Sequence, residues 1–499
     1  MLKKRLRSIY SIFNIMLTTI LLLSLVGTAV LLLVSVPGID AYAATEEEYL
    51  QESEARKLLP IQSDETYQWP AGPIISAEGA IVMEAETGAI LYAKNINEQL
   101  YPASITKLLT AIIAMDECEP DELVTFSKAA VESIDWRNDA NLGIAPGNSI
   151  TMEQCLYGLL TGSANEVAYA IAEHVSGDIE SFAKKMNEKA KELGCTHSNF
   201  VTPNGIHDEN HYTSAYDMAL IAKAFFADEL LSKMASTVSY KVPQSDTQPR
   251  DDMVVYAKSK LHKGKEYAYP GLVGTKTGYT DYARQTLVSC ASKNGMKLIC
   301  VVLKEESPYQ YTDTITLFNY GFDNFHTVNT AQNDTTHVIQ SLNLFSAGRD
   351  IFGNSKPILQ MNSDAYIILP KDADFFDTTS DISYENLRDN EIARINYYFN
   401  GAYIGSAGIE RAVAEKNIFE FGAKSEEEQQ DTYDESEVII IDVRHLIMGL
   451  LAVALIVIAI GALFSFLIVQ RGQGRGGRRL LKKGYQNFKG HSPDWRGFK

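Results

Sequence analysis

The chain has 499 residues, 45% of them hydrophobic, and a formal net charge of −18. That is length enough for two folded domains with attachments, and apolar content enough for sizeable cores. Nine basic residues against one acid lie between Arg471 and Lys499, and four basic residues with Asp40 lie within 1–43; the body between is therefore strongly acidic, which argues against nucleic acid as a partner.

Lys3, Lys4, Arg5 and Arg7 precede an apolar run from Ile20 to Val36. Ala41-Tyr42-Ala43 then offers a small-x-small cleavage pattern ahead of Glu46-Glu47-Glu48. Residues 1–43 are expected to be a signal peptide cut after Ala43, with an uncleaved signal anchor as the alternative. Residues 44–72 are polar without clear periodicity and are expected to be a linker. A folded pattern follows over 73–325. Ala80–Met83 and Ala89–Tyr92 flank Glu86-Thr87-Gly88 as a hairpin. Helical periodicity runs through Thr106–Met115, a capping box joins Thr151 to Gln154, and Glu166–Val175, Phe182–Leu193 and Ala215–Phe226 are also helical in pattern. Gln285–Ala291 and Lys297–Leu303 are strands joined through Asn294-Gly295, and Thr314–Tyr320 is a helix ended by Gly321. Strands from both ends of the segment around a helical block imply an α+β domain built on one antiparallel sheet.

From 326 to 415 the pattern is that of a small all-β domain, with strands at Tyr366–Leu369 and Ala393–Phe399 and a turn at Asn400-Gly401. Residues 416–445 form an acidic linker. Leu446–Val469 carries no charge and, at about 1.5 Å per residue, is long enough to cross a hydrocarbon core of about 30 Å. The basic tail 470–499 follows at once, which predicts a single C-terminal transmembrane helix with a cytoplasmic end. The body is then expected on the outer side of the cytoplasmic membrane. The five cysteines, Cys118, Cys155, Cys195, Cys290 and Cys300, are scattered. No pair has metal-ligand spacing, and free buried thiols are expected, with a Cys290–Cys300 bridge the alternative. No metal site and no cofactor-binding loop is read.

Three short motifs carry chemistry: Ser104-Ile105-Thr106-Lys107, Ser163-Ala164-Asn165 and Lys276-Thr277-Gly278. Each alone is weak, since a serine at a helix start is most often a cap. Together they form a mechanism. Ser104 and Lys107 lie one helical turn apart on one face, so Lys107 is placed to take the hydroxyl proton if burial or a neighbouring cation lowers its pKa. Lys276 supplies that cation and attracts a substrate carboxylate. Ser163 relays a proton to the leaving amine, and Asn165 orients Lys107. The Thr277-Gly278 strand pairs with an extended peptide, and the amides of Ser104 and Tyr279 are the expected oxyanion donors.

Tyr101-Pro102-Ala103-Ser104-Ile105-Thr106-Lys107 with its preceding hairpin, the order and spacing of the three motifs, Lys276–Asp281, and the stretch Phe200–Met218 resemble the low-molecular-mass penicillin-binding proteins, the D-alanyl-D-alanine carboxypeptidases. The resemblance covers about 75–325, and the β domain after it is similar to the family's second domain. It implies a β-lactamase/transpeptidase-like fold, an acyl-enzyme intermediate, peptidoglycan stem peptides as substrate and β-lactam antibiotics as inhibitors. The family often has Ser-Gly-Asn where this chain has Ser163-Ala164-Asn165. It also often has a Gly-Arg pair after the last hairpin for the substrate carboxylate; this chain has Lys304-Glu305-Glu306 there, so Arg284 or Lys304 is expected to take that role. A β-lactamase is the first rival, although only Glu209 is offered as a deacylating acid. A catalytically inert penicillin-binding sensor is the second.

Overall fold

In a computed structural model of the chain, residues 46–337, 359–385 and 387–411 are described. The expected leader (1–43), acidic linker (416–445), transmembrane helix (446–469) and cytoplasmic tail (470–499) lie outside them. No helix among the described residues is long and apolar enough to cross a membrane.

The stretch expected to be a linker is folded. Helix α1 spans Glu46–Arg56 and a single 3-10 turn spans Gln62–Glu65. Arg56 is buried and its Nε donates to the Ser76 carbonyl at 3.0 Å. Trp69 is buried, with its indole N–H donating to the Leu91 carbonyl at 2.9 Å. Polar composition hid these two anchors: one buried arginine and one buried tryptophan suffice to dock a segment that is otherwise solvated.

The hairpin β1 (Gly79–Glu84) and β2 (Ile90–Lys94) leads into a helical block. The block comprises α2 (Lys107–Glu117), α3 (Met152–Leu160), α4 (Asn165–Ser176), α5 (Ile179–Glu192), α6 (Ala215–Ala227) and α7 (Glu229–Ser236). The Thr151/Gln154 capping box is present at α3. The chain then returns to the sheet as β3 (Leu272–Thr280), β4 (Arg284–Lys293) and β5 (Met296–Glu305), followed by α8 (Tyr309–Asn324). The sheet is antiparallel with strand order β2-β1-β5-β4-β3.

Both faces of this sheet are covered, and the two-residue period sorts its side chains. Ile81, Met83, Val288, Cys290, Ile299 and Val301 join the core shared with the helical block. Val82, Leu287, Leu298, Cys300 and Val302 join a second core with α8 and Trp69. Cys290 and Cys300 thus face opposite sides of the sheet, which rules out a bridge, and all five cysteines are free.

The second core continues into the β domain. Strand β6 (Phe325–Asn329) pairs with β8 (Tyr366–Pro370), and β7 (Leu359–Met361), β9 (Thr378–Ser383), β10 (Glu391–Phe399) and β11 (Ala402–Arg411) form a four-stranded sheet ordered β7-β11-β10-β9. Trp69 packs on Phe325 and Phe399, with ring centroids 5.0 and 6.4 Å apart. The segment before the five-stranded sheet therefore contributes to the joint with the β domain after it.

Candidate active site

Ser104 lies in a 3-10 turn, Ala103–Thr106, that runs directly into α2. It caps neither element: neither N-terminus receives a side-chain cap bond. Its Oγ instead accepts a hydrogen bond of 2.7 Å from Lys107 Nζ. The one-turn spacing read from sequence thus brings these two side chains into contact.

Lys107 is fully buried and also donates to Asn165 Oδ1 at 2.7 Å and to the Asn204 carbonyl at 2.9 Å. Burial, and after it the nearby Lys276 charge, holds its pKa well below the ordinary lysine value, against a smaller opposing effect of Asp139 and Glu166. Once the amine is neutral, its two N–H bonds stay on Asn165 and Asn204 and its lone pair faces the Ser104 hydroxyl. This arrangement can take a proton from the Ser104 hydroxyl.

Asn165 is the first residue of α4, and its backbone N–H donates to the Ala140 carbonyl at 2.8 Å. Ser163 precedes it with φ of 60°, a left-handed conformation that turns its side chain towards the sheet. Lys276 Nζ donates to Ser163 Oγ at 2.9 Å and to the Thr277 carbonyl at 2.8 Å. Burial, with the Lys258 charge second, brings the Lys276 pKa down to about 7.

Two glycines set the approach distances. A methyl group on Gly278 would lie 2.4 Å from Thr286 Oγ1 and 2.9 Å from the Ser104 amide nitrogen, so β3 runs against the backbone of the nucleophile's turn. Thr286 Oγ1 in turn donates to the Pro102 carbonyl at 2.8 Å, fixing the turn to β4. Gly205, with φ of +80°, leaves no room for a Cβ beside the Ala103 carbonyl. Its neighbour Asn204 supplies the carbonyl that Lys107 uses.

Arg284 is not placed as expected. Its guanidinium forms an ion pair of 2.7 Å with the buried Glu306, and it stacks 3.6 Å from the Tyr49 ring centroid on α1. Lys304 is bound to Glu78 at 2.7 Å. Both cations are thus already neutralised. A further cation beside Lys276 and Thr277 is Lys258, which sequence reasoning missed. It lines a small cavity of about 10 Å³ with Thr161, Thr237, His262, Lys276 and Thr277. It is exposed, and among the described residues it has no salt bridge. Its surroundings in sequence, Lys258-Ser259-Lys260, read as an ordinary solvated stretch, so only the fold reveals it. Glu209, the acid a β-lactamase would need, is exposed.

A family profile described as D-alanyl-D-alanine carboxypeptidase matches residues 66–307. The chain is 34% identical over 253 residues to D-alanyl-D-alanine carboxypeptidase DacF of Bacillus subtilis, covering 50% of this chain and 63% of that protein. It is 31% identical over 264 residues to D-alanyl-D-alanine carboxypeptidase DacB2 of Mycobacterium tuberculosis, covering 51% of this chain and 86% of that protein. The crystal structure of penicillin binding protein 6B from Escherichia coli is similar in fold, with a TM-score of 0.51 and 22% identity over 68% of this chain and 97% of that one.

Proposed function

The chain belongs to the D-alanyl-D-alanine carboxypeptidase family of serine peptidases, and from that premise we propose that it removes the terminal D-alanine of peptidoglycan stem peptides through an acyl-enzyme on Ser104. The observation that carries this reading is the 2.7 Å contact between Ser104 Oγ and a lysine held by two further acceptors.

Neutral Lys107 takes the hydroxyl proton as Ser104 Oγ attacks the penultimate D-alanine carbonyl. The new oxyanion is received by the amides of Ser104 and Tyr279, which need no reorganisation because β3 and the 3-10 turn are already in contact. The proton passes to the leaving amine by way of Ser163, which Lys276 holds by hydrogen bond. C–N cleavage releases D-alanine and leaves the ester on Ser104. Water then attacks that ester, with Lys107 again accepting a proton, and restores the hydroxyl. The leaving residue carries a carboxylate. Lys258 and Thr277, beside Lys276, are the groups we assign to it in place of Arg284. β-Lactams acylate the same serine.

The basic leader and the apolar run 446–469 support a catalytic body outside the cytoplasmic membrane, attached by a C-terminal span. Mass spectrometry of a stem pentapeptide incubated with the protein tests the activity: loss of one alanine with the wild type and none with Ser104→Ala is expected. An unchanged pentapeptide under both conditions contradicts it and leaves the sensor reading.

A further inference from the structure

A second group of chemically distinctive side chains lies away from the site, at the other end of the same two helices. Cys118 is the C-cap of α2, Glu122 lies four residues on, and His174 is in the last turn of α4. The Sγ, a carboxylate oxygen and a ring nitrogen of these residues all lie within 4.8 Å of one another. We propose that Cys118, Glu122 and His174 bind one divalent cation of borderline softness, Zn²⁺ by class, which ties the C-terminal ends of α2 and α4 together.

The donor set fits that cation. Thiolate, imidazole and carboxylate are the three ligand types zinc takes, at about 2.0–2.3 Å, and three protein ligands leave a fourth position for water. Hard ions such as Mg²⁺ prefer all-oxygen sites, so the thiol selects against them. The geometry is held from outside the cluster. Glu122 Oε1 accepts from the Glu119 amide at 2.7 Å, which leaves Oε2 towards His174 Nε2 at 3.1 Å. The Glu122 carbonyl accepts from the Met152 amide at 2.8 Å, and the Cys118 amide donates to the Ala114 carbonyl at 3.1 Å. Outer hydrogen bonds of this kind orient metal ligands. The present His174–Glu122 hydrogen bond would be exchanged for two bonds to the ion, and Cys118 would release its thiol proton to solvent on binding. Burial and the charges of Glu122 and Glu117 now disfavour the thiolate, with Lys185 opposing them; a dication at the centre reverses that balance.

The location gives the site a role. Eleven residues of α2 extend about 16 Å at about 1.5 Å per residue, so the cluster lies well away from Lys107. At their N-terminal ends, α2 and α4 are joined by the Lys107–Asn165 hydrogen bond. An ion at their C-terminal ends would clamp both ends of the pair that carries the catalytic base and its orienting amide.

Titration of the metal-free full-length protein with Co²⁺ is the test, read by absorption rather than by activity. A thiolate-to-cobalt charge-transfer band saturating at one ion per chain, displaced by Zn²⁺, is expected. The other four cysteines are buried, so Cys118→Ser should abolish the band. Glu122→Gln and His174→Asn should weaken binding at least 10-fold while leaving the melting temperature of the metal-free protein close to that of the wild type. No band in the wild type, or a band that survives in Cys118→Ser, overturns the proposal. Unchanged affinity in both Glu122→Gln and His174→Asn also overturns it, because it would mean adventitious capture by a lone thiol. If Cys118→Ser does not fold, the latter two variants decide.

Discussion

At the scale of single residues, the proposed mechanism depends on two lysines in different protonation states. Lys107 must be neutral to accept a proton, and that form is lost as the pH falls through its depressed pKa. Lys276 must be charged to favour a neutral Lys107 and hold Ser163, and that form is lost as the pH rises past about 7. The kcat/KM profile should therefore be bell-shaped, and its alkaline limb should disappear in Lys276→Arg, whose guanidinium does not titrate in this range. An unchanged alkaline limb in a folded, active Lys276→Arg would assign that limb to another group. For the carboxylate, Lys258→Ala should raise KM for a D-alanyl-D-alanine peptide about 10-fold or more while leaving the C-terminal amide of the same peptide unaffected, the loss expected for a charge-assisted contact of about 1.5–3 kcal/mol. Arg284→Ala should raise neither KM. Equal effects of Lys258→Ala on acid and amide would place Lys258 outside substrate recognition. These residues were unequally legible in the sequence. Helical spacing alone puts Ser104 and Lys107 on one face, although that motif by itself is weak. Ser163, Asn165 and Lys276 became meaningful only through motif order and family resemblance, because their contacts span 58 residues for Asn165–Lys107 and 113 for Lys276–Ser163. The Arg284–Glu306 ion pair and the Arg284–Tyr49 stack are not legible in the sequence, because Glu306 follows β5, the next strand of the sheet, and Tyr49 lies in the polar stretch 44–72.

At the scale of elements, the site is an edge where a 3-10 turn, the N-terminal ends of α2 and α4 and strand β3 meet. Glycine at 278 makes that meeting possible, since any Cβ would collide with Thr286 and press on the Ser104 amide. Gly278→Ala should therefore slow acylation by penicillin about 10²-fold, the typical cost of a displacement of about 1 Å in a reacting group, with little change in the far-ultraviolet circular dichroism. Acylation at the wild-type rate would show that β3 does not position the nucleophile. The alternating strands and capped helices were readable because their periodicity is local. The approach of β3 to the turn is readable only through the motifs, which bring the Ser104 and Tyr279 amides into one oxyanion hole, since β3 carries Lys276-Thr277-Gly278 with no clear hydrophobic alternation of its own, and its place at the sheet edge is set by pairing with β4.

At the scale of the whole molecule, the segment 46–72 contributes to the joint between the peptidase domain and the β domain. Trp69 packs on Phe325 and Phe399 in tilted ring pairs and donates its indole N–H to the Leu91 carbonyl, and Asn400 Nδ2 donates to the Tyr67 carbonyl at 2.8 Å. Trp69→Ala should cost about 3–5 kcal/mol, the usual range for removing a buried tryptophan, measurable as a lower denaturant midpoint; a loss below about 1 kcal/mol would mean that the segment only rests on the surface. This joint escaped the sequence reading because one tryptophan and one arginine in a polar stretch give no period to detect, whereas the β domain's turn at Asn400-Gly401 announced itself. The proposed mechanism rests on one hydroxyl and one amine, those of Ser104 and Lys107. The most direct test of that pairing is the rate at which a labelled penicillin acylates the full-length protein, with the adduct located by peptide mass spectrometry. The wild type should carry it on Ser104, and Lys107→Ala should form it about 10²- to 10⁴-fold more slowly, the contribution expected of a positioned general base; comparable rates in the two proteins, or an adduct on a different residue, would contradict the account.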